Sequence, residues 1–172
     1  MNNYKVVFIT APESFRDEEY YIPKKILEKN TISVTTASTR LGTINGKFGF
    51  KALSTLLIQD VSVSNFDAII YIGGTGADIF FNNIYALQLA KDFVNCSKIT
   101  AAICIASVTL ANSGVLKHKK ATAFIDAKDI LINHNAIYTG KDVEIDSNII
   151  TANGPDAAKL FGETIVKYLT KK

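Results

Sequence analysis

Only two cysteines, Cys96 and Cys104, and two histidines, His118 and His134, occur in the whole chain. So few thiols exclude a disulfide scaffold, and two cytosolic cysteines are not expected to form a structural bridge. A zinc site is excluded as well, because neither histidine lies at ligand-like spacing from either cysteine. No metal and no cofactor is therefore expected. A charge excess is also missing: 19 Lys and Arg against 16 Asp and Glu leave +3, scattered along the chain. That argues against nucleic acid or a membrane surface as partner. The one basic knot, Lys117–Lys120 with His118 inside it, follows Gly114 and reads as a solvated loop. No apolar run approaches the roughly 20 residues of a membrane helix. The opening M-N-N-Y-K-V-V-F-I-T has too short an apolar stretch for a secretory leader, and no small-residue cleavage site follows it. A cytoplasmic location is the expectation. Internal repeats and low-complexity segments are absent too.

What is present reads as one domain, residues 1–172, with 48% hydrophobic and 20% charged residues. Val6–Thr10 is a β-branched and aromatic run, hence a buried strand. Asp17–Asn30 follows as a helix, with Tyr21, Ile22, Ile26 and Leu27 at helical spacing. Pro23 fits if the helix proper begins near it. Ile32–Ala37 is a second strand, and the glycines of Arg40–Lys51 mark a loop that can hold a short hairpin. Asp67–Ile72 is a third strand, ending at Gly73-Gly74. Asn83–Asn95 is a helix with a stripe of Ile84, Leu87, Leu89 and Phe93. Ile99–Cys104 is a strand with a helix directly behind it. Ala121–Phe124, Val143–Ile145 and Ile149–Thr151 are short late strands, and a helix over about 155–169 carries Leu160, Ile165, Val166 and Leu169. Strands and helices in alternation, with near-continuous apolar strands, predict an α/β fold whose mostly parallel sheet is covered on both faces. Ligands bind such sheets at the carboxyl ends of the strands. Three segments land there: Ala11–Glu19, Gly73-Gly74 and Cys104.

The stretch I-T-A-A-I-C-I-A-S-V-T-L-A-N-S-G, from Ile99 to Gly114, carries the most chemistry. Its cysteine sits where a strand turns sharply into a helix. Free N–H groups and the helix dipole favour negative charge there, so the thiol pKa is expected to fall. Cys104 is thus a nucleophile or redox candidate, whereas Cys96, at a helix end, reads as structural. Gly73 and Gly74 let main-chain N–H groups approach a ligand and can form an oxyanion hole. No G-K-[ST] follows them, so G-G-T-G is not a phosphate loop. One of Asp17, Glu18 and Glu19 can lean over the sulfur, and a protonated carboxyl donating to it would favour the thiolate. Spacing does not choose among the three. His118 and His134 read as exposed loop and helix-end residues.

Six segments in order carry a resemblance: F-R-D-E-E-Y-Y-I-P, A-S-T-R-L-G-T-I-N-G-K-F-G, D-A-I-I-Y-I-G-G-T-G-A-D, A-A-I-C-I-A-S, S-G-V-L-K-H-K-K-A-T and D-S-N-I-I-T-A-N-G-P. Together they resemble the DJ-1/PfpI family over Lys5–Leu169, and in layout its intracellular protease I branch. The resemblance implies a flavodoxin-like three-layer sandwich, close to class I glutamine amidotransferase domains. It places the family's reactive cysteine at Cys104 and its glutamate, four residues before Pro23, at Glu19. Gly73 and Gly74 match the family's glycine pair, with Gly74 and Ile105 N–H groups as oxyanion donors. It implies a homodimer or higher oligomer, with a neighbouring subunit's Asp78 joining the site. Three positions depart from the protease branch: Ile105 replaces a histidine, Phe124 a histidine or tyrosine, and Arg16 an acid.

A Cys–His dyad cannot form from these positions, which disfavours a cysteine peptidase or amidase. A Cys–Glu pair remains. It is expected to act on a small-molecule substrate, a reactive carbonyl, in a cofactor-independent, glyoxalase-like reaction. The alternative is a non-enzymatic redox or stress protein working through Cys104 oxidation.

Overall fold

The computed structural model describes residues 3–171. The first half runs β1 (Lys5–Ile9), β2 (Glu13–Phe15), α1 (Asp17–Lys29), β3 (Ser33–Ser38), β4 (Gly42–Gly46), β5 (Lys51–Ser54), β6 (Leu56–Leu57) and β7 (Ala68–Tyr71). The second half runs α2 (Ile84–Asn95), β8 (Ile99–Ile103), α3 (Ser107–Asn112), β9 (Lys120–Ala121), α4 (Lys128–Asn133), β10 (Ile137–Tyr138), β11 (Val143–Asp146), β12 (Ile149–Ala152) and α5 (Ala158–Thr170). Seven strands make the central sheet in the order β11-β12-β8-β7-β1-β3-β6. Every neighbouring pair in it is parallel except the antiparallel edge pair β11–β12.

Strand periodicity divides the core. Val6 and Phe8 of β1 face α1 and α5, packing with Leu27, Phe161 and Ile165. Val7 and Ile9 face the other way, with Phe93 of α2, Leu110 of α3 and Leu131 of α4. Helix layers thus cover both sheet faces, which gives the expected three-layer, flavodoxin-like sandwich. From β1 the chain first adds β3 on one side and then β7 on the other. The reversal leaves a crevice at the carboxyl ends of β1 and β7, where ligands bind in folds of this kind.

Several local expectations are corrected. Helix α1 starts at Asp17, and Pro23 lies inside it rather than in its first turn. Acidic residues in the first turn favour that earlier start by matching the helix dipole. Pro23 has no N–H to give to the carbonyl of Glu19, so one helical bond is missing at that turn. Tyr20, not Tyr21, is the buried aromatic of α1. On α2 the buried stripe is Ala86, Leu89, Ala90 and Phe93, while Ile84 is 74% exposed, directly after the Asn83 cap. Leu160 of α5 is exposed also, and Phe161 takes the inner position. The late strand at Ala121–Phe124 shrinks to Lys120–Ala121. Beyond it, the Thr122 N–H donates to the Thr151 hydroxyl (2.9 Å) instead of a strand carbonyl. The short hairpin expected within Arg40–Lys51 is present, with β4 and β5 paired antiparallel.

Candidate active site

Parallel strands deliver their following loops to one sheet edge, and three of those loops are bound together there. The Arg16 N–H donates to the Gly73 carbonyl at 2.9 Å. Gly74 has φ +100°, and a side chain on it would lie 2.6 Å from the Phe15 carbonyl carbon. Only glycine allows that conformation and that approach together. Gly73 sits against the other partners. A Cβ there would overlap the Glu19 Oε2 and lie 2.8 Å from the Cys104 Cβ. Glu19, Gly73 and Cys104 are therefore in contact, as the sequence predicted for the three segments.

Cys104 opens a short 3-10 turn between β8 and α3, with φ +62°. A left-handed backbone is uncommon for a residue with a Cβ. It makes the elbow sharp and turns the sulfur toward the sheet edge. The backbone N–H groups of Ile105 and Gly74 lie close enough to the sulfur to pull its pKa down. They do not win. Burial, and next the charge of Glu19, push the thiol up to about 12. The expected lowering is thus reversed. The helix behind the elbow is only six residues long, and Cys104 is just 9% exposed, so desolvation exceeds what two N–H groups return.

Glu19 is fully buried, and burial raises its carboxyl to about 7. The Cys104 thiol is the strongest opposing influence, followed by the Arg16 charge. Neither carboxyl oxygen has a partner at normal hydrogen-bond geometry. The thiol and the Gly73 N–H lie close enough to lower its pKa without closing a well-formed bond. With pKa values of about 7 and about 12, the pair holds both protons in mild acid and one between them above neutrality.

The three adjacent acids have three fates, because successive helical residues point about 100° apart. Asp17 is buried and accepts from the N–H groups of Phe48 (2.9 Å) and Phe50 (2.7 Å). Glu18 pairs with Arg16 at 2.7 Å. Glu19 alone turns inward to Cys104.

A cavity of 190 Å³ opens over the pair, lined by Arg16, Glu19, Lys47, Gly74, Thr75, Cys104, Ile105, Phe124, Asp126 and Pro155. Arg16 and Phe124, named from the sequence as pocket residues, line this cavity, and so does Ile105, named as an oxyanion donor. Asp78 lies on an exposed turn outside this cavity, as do Cys96, His118 and His134. The His118 N–H donates to the Asn135 carbonyl, and the His134 ring meets the Ile130 carbonyl at 2.9 Å. Lys47, Thr75, Asp126 and Pro155 escaped the sequence reading. Lys47 had one available signal, its place between Gly46 and Gly49 in a turn that had to double back. Among the described residues no group of three His, Cys, Asp or Glu is placed to hold a metal ion. No helix among them is long and apolar enough to cross a membrane.

Residues 4–168 match the sequence profile of the DJ-1/PfpI family. The chain belongs to that family. Among its relatives is an uncharacterized protein of Methanocaldococcus jannaschii, 39% identical over 99% of this chain and 85% of the other. A Pyrococcus furiosus protein named deglycase PfpI is 30% identical, over 96% of this chain and 99% of its own. The crystal structure of a ThiJ/PfpI domain protein from Brachyspira murdochii superposes with a TM-score of 0.96 and 31% identity, covering 98% of this chain and 97% of the other.

Proposed function

We propose that this DJ-1/PfpI protein is a cofactor-independent enzyme of small reactive carbonyls, with Cys104 as nucleophile and Glu19 as proton carrier. One observation carries the reading: a fully buried carboxyl, held near pKa 7, abuts a thiol at the floor of a 190 Å³ cavity. A general acid or base works best when its pKa lies near the working pH. The small cavity suits a molecule of a few heavy atoms. The name of the Pyrococcus furiosus relative points to glycation chemistry in that protein.

The reaction balances without an oxidant. The sulfur of Cys104 adds to the aldehyde carbon of a 2-oxoaldehyde such as methylglyoxal, and the thiol proton passes to Glu19. The carbonyl oxygen takes up the electron pair beside the N–H groups of Gly74 and Ile105, then the proton, giving a hemithioacetal. Glu19 next carries the proton from the first carbon to the second through an enediol, leaving a thioester. Water cleaves that ester, and the 2-hydroxy acid leaves with the free thiol restored. Lactate formation from methylglyoxal tests the scheme. It is expected in the wild type, absent in Cys104→Ser and reduced at least about 10²-fold in Glu19→Gln. A wild-type protein with a titratable Cys104 thiol and no lactate overturns it.

A second reading, redox sensing through Cys104, draws on the same two N–H groups, which would hold the oxygens of a sulfinate. Mass spectrometry after mild peroxide tests it, with selective oxidation of Cys104 over Cys96 expected. A peptidase draws no such support, since neither histidine lines the cavity. Self-association belongs to the proposal too: exposed Asp78 would enter a neighbouring copy's site, and Asp78→Ala would lower activity only in the oligomer.

A further inference from the structure

The turn between β4 and β5 carries Lys47 into the wall of the Cys104 cavity, which Phe124, Asp126 and Pro155 also line. Within the hairpin the turn is closed by the Gly46 N–H donating to the Phe50 carbonyl (2.7 Å) and the Gly49 N–H to the Gly46 carbonyl (3.3 Å); a second set of bonds fixes it against the rest of the molecule. These tethers run to the segment just ahead of Glu19. The Lys47 N–H donates to the Phe15 carbonyl at 2.8 Å. The Arg16 guanidinium stacks on the Phe48 ring at 4.7 Å, although Phe48 is 63% exposed. At the centre is Asp17, whose buried carboxylate accepts the N–H groups of Phe48 and Phe50. Gly46 completes the fit: a Cβ on it would lie 2.7 Å from the Asp17 carboxyl atoms.

A buried carboxyl group needs hydrogen bonds to replace the water it gives up. Here the two bonds come from a turn that contributes Lys47 to the wall of the reactive cavity. The same helix turn therefore presents Glu19 to the sulfur and, through Asp17, holds the turn that brings Lys47 to the cavity wall. We propose that Asp17 is a positioning residue that latches the Lys47–Phe50 turn, and that this latch sets the size limit for molecules reaching Cys104. The inference rests on the reading of Cys104 as the reacting group. It adds that the site excludes large adducts by a specific, removable restraint, and that its substrates are small free carbonyls rather than carbonyls on protein side chains.

The test compares alkylation of Cys104 by iodoacetamide and by a bulky fluorescein maleimide, in a Cys96→Ser background so that a single thiol reports. In each reaction the sulfur forms a bond to carbon and its proton leaves; iodide departs in the first, and the maleimide double bond takes up a proton in the second. The wild type is expected to react with the small reagent and to exclude the large one. In Asp17→Ala and in Gly46→Ala the rate ratio of large to small reagent is expected to rise about tenfold or more. Phe48→Ala, a change at an exposed side chain, is expected to raise it about threefold and carries the test if the other two fail to fold. An unchanged ratio in every folded variant overturns the latch, as does a wild type that admits both reagents equally. Lactate formation is scored separately. A changed ratio without turnover would keep the latch and remove the enzyme, and turnover with an unchanged ratio would do the opposite.

Discussion

Glu19 and Cys104 are buried against each other at Gly73, and they act on each other in opposite senses: the carboxyl makes the thiol a weaker acid, while the thiol makes the carboxyl a stronger one. Burial is the larger influence on both, and the Glu19 charge adds to it on the sulfur. Below neutrality the carboxyl is protonated and stops opposing the thiolate. Above neutrality it is a base beside a thiol that rarely ionises unaided.

The pH dependence of iodoacetamide alkylation follows from this pairing. The wild-type rate at Cys104 is expected to rise with an inflection near pH 7, where Glu19 becomes able to accept the thiol proton. In Glu19→Gln that inflection disappears and a single rise at high pH remains, at a midpoint below 12 because the carboxylate charge is gone. At pH 8 the variant is expected to react at least about tenfold more slowly. An inflection that survives the substitution would show that Glu19 is not the group involved.

Stability must follow the same carboxyl. Its pKa is about 7 in the folded chain against an ordinary 4.5, so the folded state favours the protonated form. The stabilising contribution is full below pH 4.5. It is lost as pH rises, and it is gone above 7, a fall of ~3 kcal/mol. Urea unfolding at pH 5 and pH 8 checks this. Wild type is expected to lose about that much more than Glu19→Gln between the two pH values, and equal losses would refute the raised pKa.

Gly73→Ala should disturb both functional side chains at once. The new Cβ would overlap the Glu19 carboxyl and crowd the Cys104 Cβ and the Ile103 carbonyl, each at 2.8 Å. Overpacking of this kind costs ~1–3 kcal/mol, read by urea unfolding. The alkylation inflection near pH 7 should be lost too, because the carboxyl is pushed away from the sulfur.

Tyr71→Phe is the matching control on the opposite face of the sheet. The Tyr71 hydroxyl donates to the Ala86 carbonyl at 2.7 Å and holds α2 against β7, two residues before Gly73. Removing it is expected to cost ~1 kcal/mol and to leave the Cys104 pH profile unchanged.

Sequence reading reached the layer architecture because the strands announce themselves. V-V-F-I and A-I-I-Y are apolar on both sides, which only a sheet covered twice requires. It reached the elbow, since a thiol at a strand–helix junction is a local feature. It was wrong on the direction of the thiol's pKa, because burial and the facing carboxyl are tertiary quantities that no local pattern carries. The fates of Asp17, Glu18 and Glu19 were illegible for a related reason. Which of three neighbours faces the sulfur depends on where α1 begins and on how β4 and β5 fold back over it. Ile84 and Leu160 were misjudged because apolar spacing marks a face without saying whether a neighbour covers it. Lys47 and Asp126 were missed because they come from turns distant in sequence and meet only in the closed structure.

Pro23 gives α1 a property that neither its length nor its buried face conveys. Its ring stands where an N–H would have reached back to the Glu19 carbonyl, and Gly162 of α5 lets the two helices close to within contact at that point. The turn bearing the acid is thereby uncoupled from the rest of the helix by one bond. A proton moving between carboxyl and sulfur alters the charge and the preferred spacing of the pair. With that helical bond absent, the turn bearing Glu19 resists such a shift less than an intact turn would, while α1 stays packed on α5 where Pro23 meets Gly162.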